Sequence, residues 1–167
     1  MSETPVPSGT VTSGTVPTGS AIPTRFTREQ ASAVLERVRF DDKGLLTAVI
    51  QQWDTREVLM VGWMDAEAFL RTLTEGRVTF WSRSRQEYWR KGDTSGHVQF
   101  VHGAALDCDG DTLLVSVEQI GAACHTGART CFDADVLEPT VLGADDLASL
   151  ESDDLPERDG DALEGTA

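Results

Sequence analysis

The sequence predicts an α+β class: a small antiparallel-sheet domain with a few helices. Three observations carry this: short apolar runs rich in β-branched residues, turn residues between them, and two helical stretches with capping residues. Thr27 followed three residues later by Gln30 is a capping-box pattern. It predicts a helix to about Val38 with Ala31, Val34, Leu35 and Val38 on one face. Gly44 marks a turn. Residues 45–53 and 58–63 are short and apolar with Asp54, Thr55 and Arg56 between them, which predicts a hairpin. Asp65 is placed to cap a helix over 66–74 that Gly76 ends. Residues 78–82, 98–106 and 112–119 read as further strands.

The 167 residues suffice for one domain, with 40% hydrophobic and 25% charged residues, an ordinary globular balance. Residues 1–24, rich in Ser, Thr, Gly and Pro with the single charge of Glu3, read as a disordered tail. Residues 25–132 form the folded body. Residues 133–167 carry 12 acidic residues against Arg158 alone, and read as a mostly disordered acidic tail with a short helix near 144–150. That tail holds −11 of the net −14, so the body is nearly neutral and small anions are not repelled from it. The acidic total disfavours nucleic acid as a partner. No apolar run reaches the roughly 20 residues of a membrane span, and no signal peptide is visible, so the expectation is a cytoplasmic protein without membrane contact. Three cysteines, an odd number without a secretion signal, argue against a disulfide framework.

Three constellations carry chemistry. In Asp107-Cys108-Asp109-Gly110-Asp111, three carboxylates at alternate positions surround a thiol. Clustered carboxylates repel one another unless a cation neutralises them, and hard oxygen ligands suit Mg²⁺. The same five residues also read as an acidic hairpin turn with Asp-Gly at its tip. The second constellation is Cys124-His125-Thr126-Gly127-Ala128-Arg129-Thr130-Cys131, with Cys108 sixteen residues before it. This is not a zinc-ribbon spacing, and buried apolar thiols are an equal reading. Three thiolates would leave a fourth zinc position open, as catalytic sites do. His125, adjacent to Cys124, reads as an acid or base and not as a ligand. The third runs from Trp81 to His97 with four basic residues, two indoles and four Ser or Thr hydroxyls. Such groups hold phosphate and stack on a base. It lacks the order of a nucleotide P-loop.

Together these segments are similar to the phosphoribosyl-AMP cyclohydrolase family. The matching stretches are 58–64, 80–87, 89–97, 107–111 and 121–132, in family order and spacing. The resemblance implies an intertwined homodimer with one zinc and one magnesium per subunit. It puts the zinc ligands at Cys108, Cys124 and Cys131, with Cys108 coming from the partner chain, and the magnesium ligands at Asp107, Asp109 and Asp111. Asp65 and Thr130 stand where the family commonly has Asn and Ser. The substrate it implies is AMP bearing a second phosphoribosyl group on N1; water adds at C6 and the N1–C6 bond breaks. Zinc would supply hydroxide by lowering the pKa of bound water to about 7. A proton must reach the departing N1. His125 is the first candidate for this, and His97, which ends the Thr-Ser-Gly loop, is the second. Arg83, Ser84, Arg85, Lys91, Thr94 and Ser95 are the candidates for the substrate's phosphates. The rival readings are a non-catalytic zinc-stabilised nucleotide binder and a zinc deaminase, whose Pro-Cys-x-x-Cys pattern is absent.

Overall fold

A computed structural model describes residues 24–138. The chain divides into two units, Met1–Asp135 and Val136–Ala167. Of the second, only residues 136–138 are described, and they carry no helix or strand. The expected disorder of residues 1–23 and 139–167, and the helix near 144–150, lie outside the described residues. Thr24, assigned to the tail from sequence, donates its N–H to the Val101 carbonyl at 2.7 Å.

The elements run α1 (Arg28–Leu35), β1 (Leu46–Gln52), β2 (Val58–Met64), α2 (Ala66–Glu75), β3 (Thr79–Ser82), β4 (Glu87–Arg90), β5 (Gln99–Leu106) and β6 (Thr112–Gln119), closed by a 3₁₀ turn at Cys131–Asp133. Both expected caps form. Thr27 and Gln30 make a reciprocal capping box. Asp65 accepts the Ala68 N–H at 2.8 Å, and Gly76 ends α2 in the left-handed region at φ 72°. Helix α1 stops at Leu35, short of Val38, because Arg37 and Val38 tighten into i→i−3 bonds. Val38 still packs against the core.

The larger sheet has the order β2-β1-β6-β5. β1–β2 and β5–β6 are antiparallel hairpins, but the hairpins join through a parallel β1–β6 pair, so the expected antiparallel sheet contains one parallel seam. Parallel neighbours need a long crossover, and the chain between β2 and β5 supplies it with α2 and a separate β3–β4 hairpin. Strand β4 lies inside the third constellation, Trp81 to His97, where no strand was expected. Its polar residues Glu87 and Arg90 hide the signal, while Trp89 and Tyr88 pair opposite Phe80 and Trp81. Alternate residues of β1 and β6 (Leu46, Ala48, Ile50; Leu113, Val115, Val117) face Phe69 and Leu73 of α2 and Phe80 of β3, all but sealed from solvent. No helix among the described residues is long and apolar enough to cross a membrane.

Loop 107–111 enters β6 and loop 120–131 leaves it. Eight strand residues at about 3.3 Å each put the two loops on the order of 25 Å apart.

Candidate active site and metal centres

Loop 120–131 folds so that its two cysteines line one cleft. Ala123 N–H bonds the Arg129 carbonyl at 3.1 Å, Cys124 N–H the Ala128 carbonyl at 3.2 Å, and Gly127 N–H the Cys124 carbonyl at 3.1 Å. Thr130 accepts the Phe132 N–H at 2.9 Å and so caps the 3₁₀ turn that starts at Cys131. A hydroxyl suffices there, so Thr for Ser costs nothing at this cap. From the sheet, Gln119 donates its side-chain N–H to the Arg129 carbonyl at 2.9 Å. Gln119 is itself held by Gln99 (2.8 Å) and Gln52 (3.1 Å). Gly121 sits at φ 82°, and a Cβ there would come within 2.5 Å of the His97 ring, so only glycine lets that ring lie against the loop.

The Cys124 and Cys131 thiols line the same cleft. The Thr126 hydroxyl donates to Cys124 Sγ at 3.1 Å and, with backbone N–H groups, holds that thiol below the ordinary cysteine value. Cys131 is exposed by surface, yet the atoms packed around its sulfur push its thiol up, and the charge of Cys124 adds to this. Lys91, 4% exposed, donates from Nζ to the Ala122 carbonyl at 3.0 Å. Burial lowers its ammonium from the usual lysine value, and the two thiols work in the opposite sense. His125 is exposed, with Nδ1 3.9 Å from Cys124 Sγ.

These groups line one cleft of about 390 Å³ that brings together Cys124, Cys131, His125, His97, Lys91, Thr94 and Ser95, with the Trp89 indole as an apolar wall. A volume of this size accommodates a small ligand. Two soft thiols in one cleft, with Lys91 beside them, are a donor set that fits zinc.

The acidic tip is both things its sequence allowed. It is the turn of the β5–β6 hairpin, with Asp107 Oδ1 accepting the N–H groups of Gly110 at 3.0 Å and Thr112 at 3.1 Å. It also gathers carboxylate oxygens of Asp107, Asp109 and Asp111 within 4.8 Å of one another, all exposed. Desolvation works to raise the Asp107 carboxyl, but the Thr112 and Gly110 N–H groups outweigh it and the net shift is down. Such a set of hard oxygens fits magnesium. The tip is braced from behind: Arg39 N–H bonds the Gly110 carbonyl at 2.8 Å, and a Cβ on Gly110 would meet the Arg37 carbonyl at 2.5 Å.

Two expectations separate from the cleft. Cys108 sits exposed on the acidic tip, and the three thiols of one chain do not form a group within 4.8 Å among the described residues. Arg83, Ser84 and Arg85 lie on the β3–β4 turn and line a second cleft of about 660 Å³ with Lys43, Trp63 and Trp89. Sequence reasoning named Trp89 only as one of two indoles suited to stacking on a base; it missed that this ring walls both clefts, and it missed Gln119 as the brace of the thiol loop. An indole in an otherwise polar run was the only signal for the first. Asp65 does more than cap α2, since its second carboxylate oxygen accepts the Tyr88 hydroxyl at 2.8 Å.

Comparison with known proteins places this geometry in context. A family model described as phosphoribosyl-AMP cyclohydrolase matches residues 60–133. The chain is 76% identical over 109 residues to the phosphoribosyl-AMP cyclohydrolase of Leifsonia xyli subsp. xyli, covering 65% of this chain and 86% of the relative. It is 74% identical over 111 residues to that of Clavibacter michiganensis subsp. michiganensis (66% and 83%). Against that of Bifidobacterium adolescentis it is 67% identical over 110 residues (66% and 82%).

Proposed function

This chain belongs to the phosphoribosyl-AMP cyclohydrolase family, and on that premise we propose that it hydrolyses the adenine ring of phosphoribosyl-AMP in histidine biosynthesis, in a centre shared by two copies of the chain. Water adds at C6 and the N1–C6 bond breaks. The observation that carries the reading is the gathering of the Cys124 and Cys131 thiols in one cleft with His125, His97 and Lys91.

Cys124 and Cys131 would hold zinc with Cys108 of a second copy. The length of β6 supports the sharing: Cys108 stands at one end of the strand and the thiol pair at the other, on the order of 25 Å away. One chain therefore offers two thiolates at one place and a third elsewhere. A twofold axis that sets the tip of each copy against the cleft of the other makes two equal, complete centres. Asp107, Asp109 and Asp111 travel with Cys108, so the magnesium carboxylates of one copy would stand at the rim of the other's cleft, where they suit phosphate or ribose oxygens. Zinc, when bound, supplies the Lewis acid that provides hydroxide near neutral pH.

The chain's own residues do the remaining work. Trp89 offers a flat wall for the adenine ring. Thr94 and Ser95 present hydroxyls to the polar groups of the substrate. Lys91 sets a fixed positive charge beside the thiol pair. His125, exposed at the cleft, carries the proton to N1 as the bond to C6 breaks; His97 is the second candidate for that role. The reading is tested by incubating the purified protein with phosphoribosyl-AMP, zinc and magnesium and following ring opening by absorbance. A change well above the no-enzyme rate is expected, and a rate equal to the blank would overturn the reading.

A further inference from the structure

We propose that the cleft on the β3–β4 turn is a phosphate subsite that takes one of the two phosphoribosyl arms of the substrate, while the other arm stays with the thiol cleft. The inference rests on the hydrolase reading above and adds to it which surface recognises the second phosphate.

The case begins with charge. Lys43, Arg83 and Arg85 line this cleft, and only Arg85 has an ion-pair partner among the described residues, Glu87 at 2.8 Å. Two uncompensated cations in one concave surface of an acidic chain call for an anionic ligand. Geometry narrows the class. The Arg83 guanidinium lies 3.4 Å from the centroid of the Trp63 ring. The stack occupies one face of the guanidinium and leaves its N–H edge free, which is the edge that engages a phosphate. An arginine already pinned on an indole gives up little rotamer freedom when the anion arrives. Trp63, Trp81 and Trp89 add flat apolar walls, suited to a ribose and the edge of a base, and the Ser84 hydroxyl adds a donor.

Position supplies the rest. Trp89 lines this cleft and the thiol cleft alike, and its ring stacks on the buried Phe80, 5.3 Å between centroids. A Cβ on Gly62 would strike that Phe80 ring at 2.5 Å, so glycine is what allows the stack to close behind Trp89. A substrate with its base against Trp89 and a phosphorylated ribose on each side would reach into both clefts. A ligand with one phosphate would need only one of them.

The test uses the full-length zinc- and magnesium-loaded protein with phosphoribosyl-AMP as substrate and AMP, which lacks the N1 arm, as a binding probe followed by calorimetry. Arg83→Ala is expected to lower kcat/KM by about 10–100-fold through KM, with kcat within about twofold, as loss of a charged hydrogen bond to a phosphate does. Lys43→Ala should act in the same direction and more weakly. Both residues are exposed, so the melting temperature serves as the folding control. If Arg83→Ala also weakens AMP, the subsite reads the N9 arm; if AMP binding is untouched while KM rises, it reads the N1 arm. KM and AMP affinity unchanged in the Arg83→Ala, Lys43→Ala double variant would overturn the subsite, as would a fall confined to kcat. An inactive wild-type protein would instead overturn the hydrolase reading.

Discussion

Loop 107–111 enters β6 and loop 121–131 leaves it, yet the two are built by different means. The acidic tip is organised mainly from within: Asp107 holds Gly110 and Thr112, three and five residues on, and Arg39 N–H adds one bond from outside. The thiol loop adds to its own backbone bonds several braces from outside. Gln119 grips it from the sheet, His97 lies against Gly121, and Lys91 reaches in from beyond β4 to the Ala122 carbonyl. The first gathers exposed carboxylates and the second a buried thiol and an exposed one. Cys108 is the exception, an exposed thiol carried on the acidic loop.

The sharpest way to break this comparison is to ask whether the two loops meet only between copies. Cys108→Ala and Cys124→Ala proteins should each lose zinc and fall to background activity. Mixed and allowed to exchange subunits, they should recover about a quarter of wild-type activity, because half the dimers are mixed and each of those has one intact centre. No recovery from well-folded, exchanging subunits would mean the centre is not shared. Next in size, His125→Ala should lower kcat by about 10²–10⁴ while zinc content stays full. Normal turnover with full zinc would remove His125 from the proton transfer.

That contrast also explains what the sequence could disclose. The tip was legible as both turn and carboxylate cluster because its logic is local: Asp-Gly supplies the turn and alternate aspartates supply the charge. The helix caps at Thr27, Asp65 and Gly76 were legible for the same reason. The thiol loop gave only residue types. Its spacing said nothing of the fold that brings Cys124 and Cys131 to one cleft, since His97 and Lys91 act on it from distant parts of the chain. Strand β4 stayed hidden behind Glu87 and Arg90, whose side chains face solvent. The parallel β1–β6 seam is a property of the whole topology and leaves no mark on either strand.

Backbone and brace variants should separate the loops by stability. Gly110→Ala forces a side chain at φ 82° into the Arg37 carbonyl, and should cost about 1–3 kcal/mol in chemical denaturation and weaken magnesium dependence more than zinc content. Gln119→Ala removes the grip on Arg129 and strands the Gln99 amide, and should cost about 1–3 kcal/mol with the opposite preference, zinc content falling first. If both variants affect the two metals equally, the loops are not independently built.

The smallest effect expected lies at the far end of the brace. Gln52 accepts the Gln119 N–H and passes its own amide N–H to Asp54 Oδ1 at 2.9 Å, so the chain of bonds behind the thiol loop ends on a carboxylate in the β1–β2 turn. The Gln52 amide, with help from the Thr55 N–H, holds Asp54 below the ordinary aspartate value. A carboxyl whose pKa is depressed by folding contributes stability above its unfolded value, about 3.9, and loses that contribution as pH falls through the folded value. Asp54→Ala should therefore destabilise the protein modestly at pH 7, and the gap in melting temperature from wild type should close as pH drops below about 4. Asp54→Asn keeps an acceptor for Gln52 and should lie between the two at pH 7 with little pH dependence of its own. A gap that persists unchanged into acid would mean the carboxylate charge adds nothing, and the brace ends at Gln52.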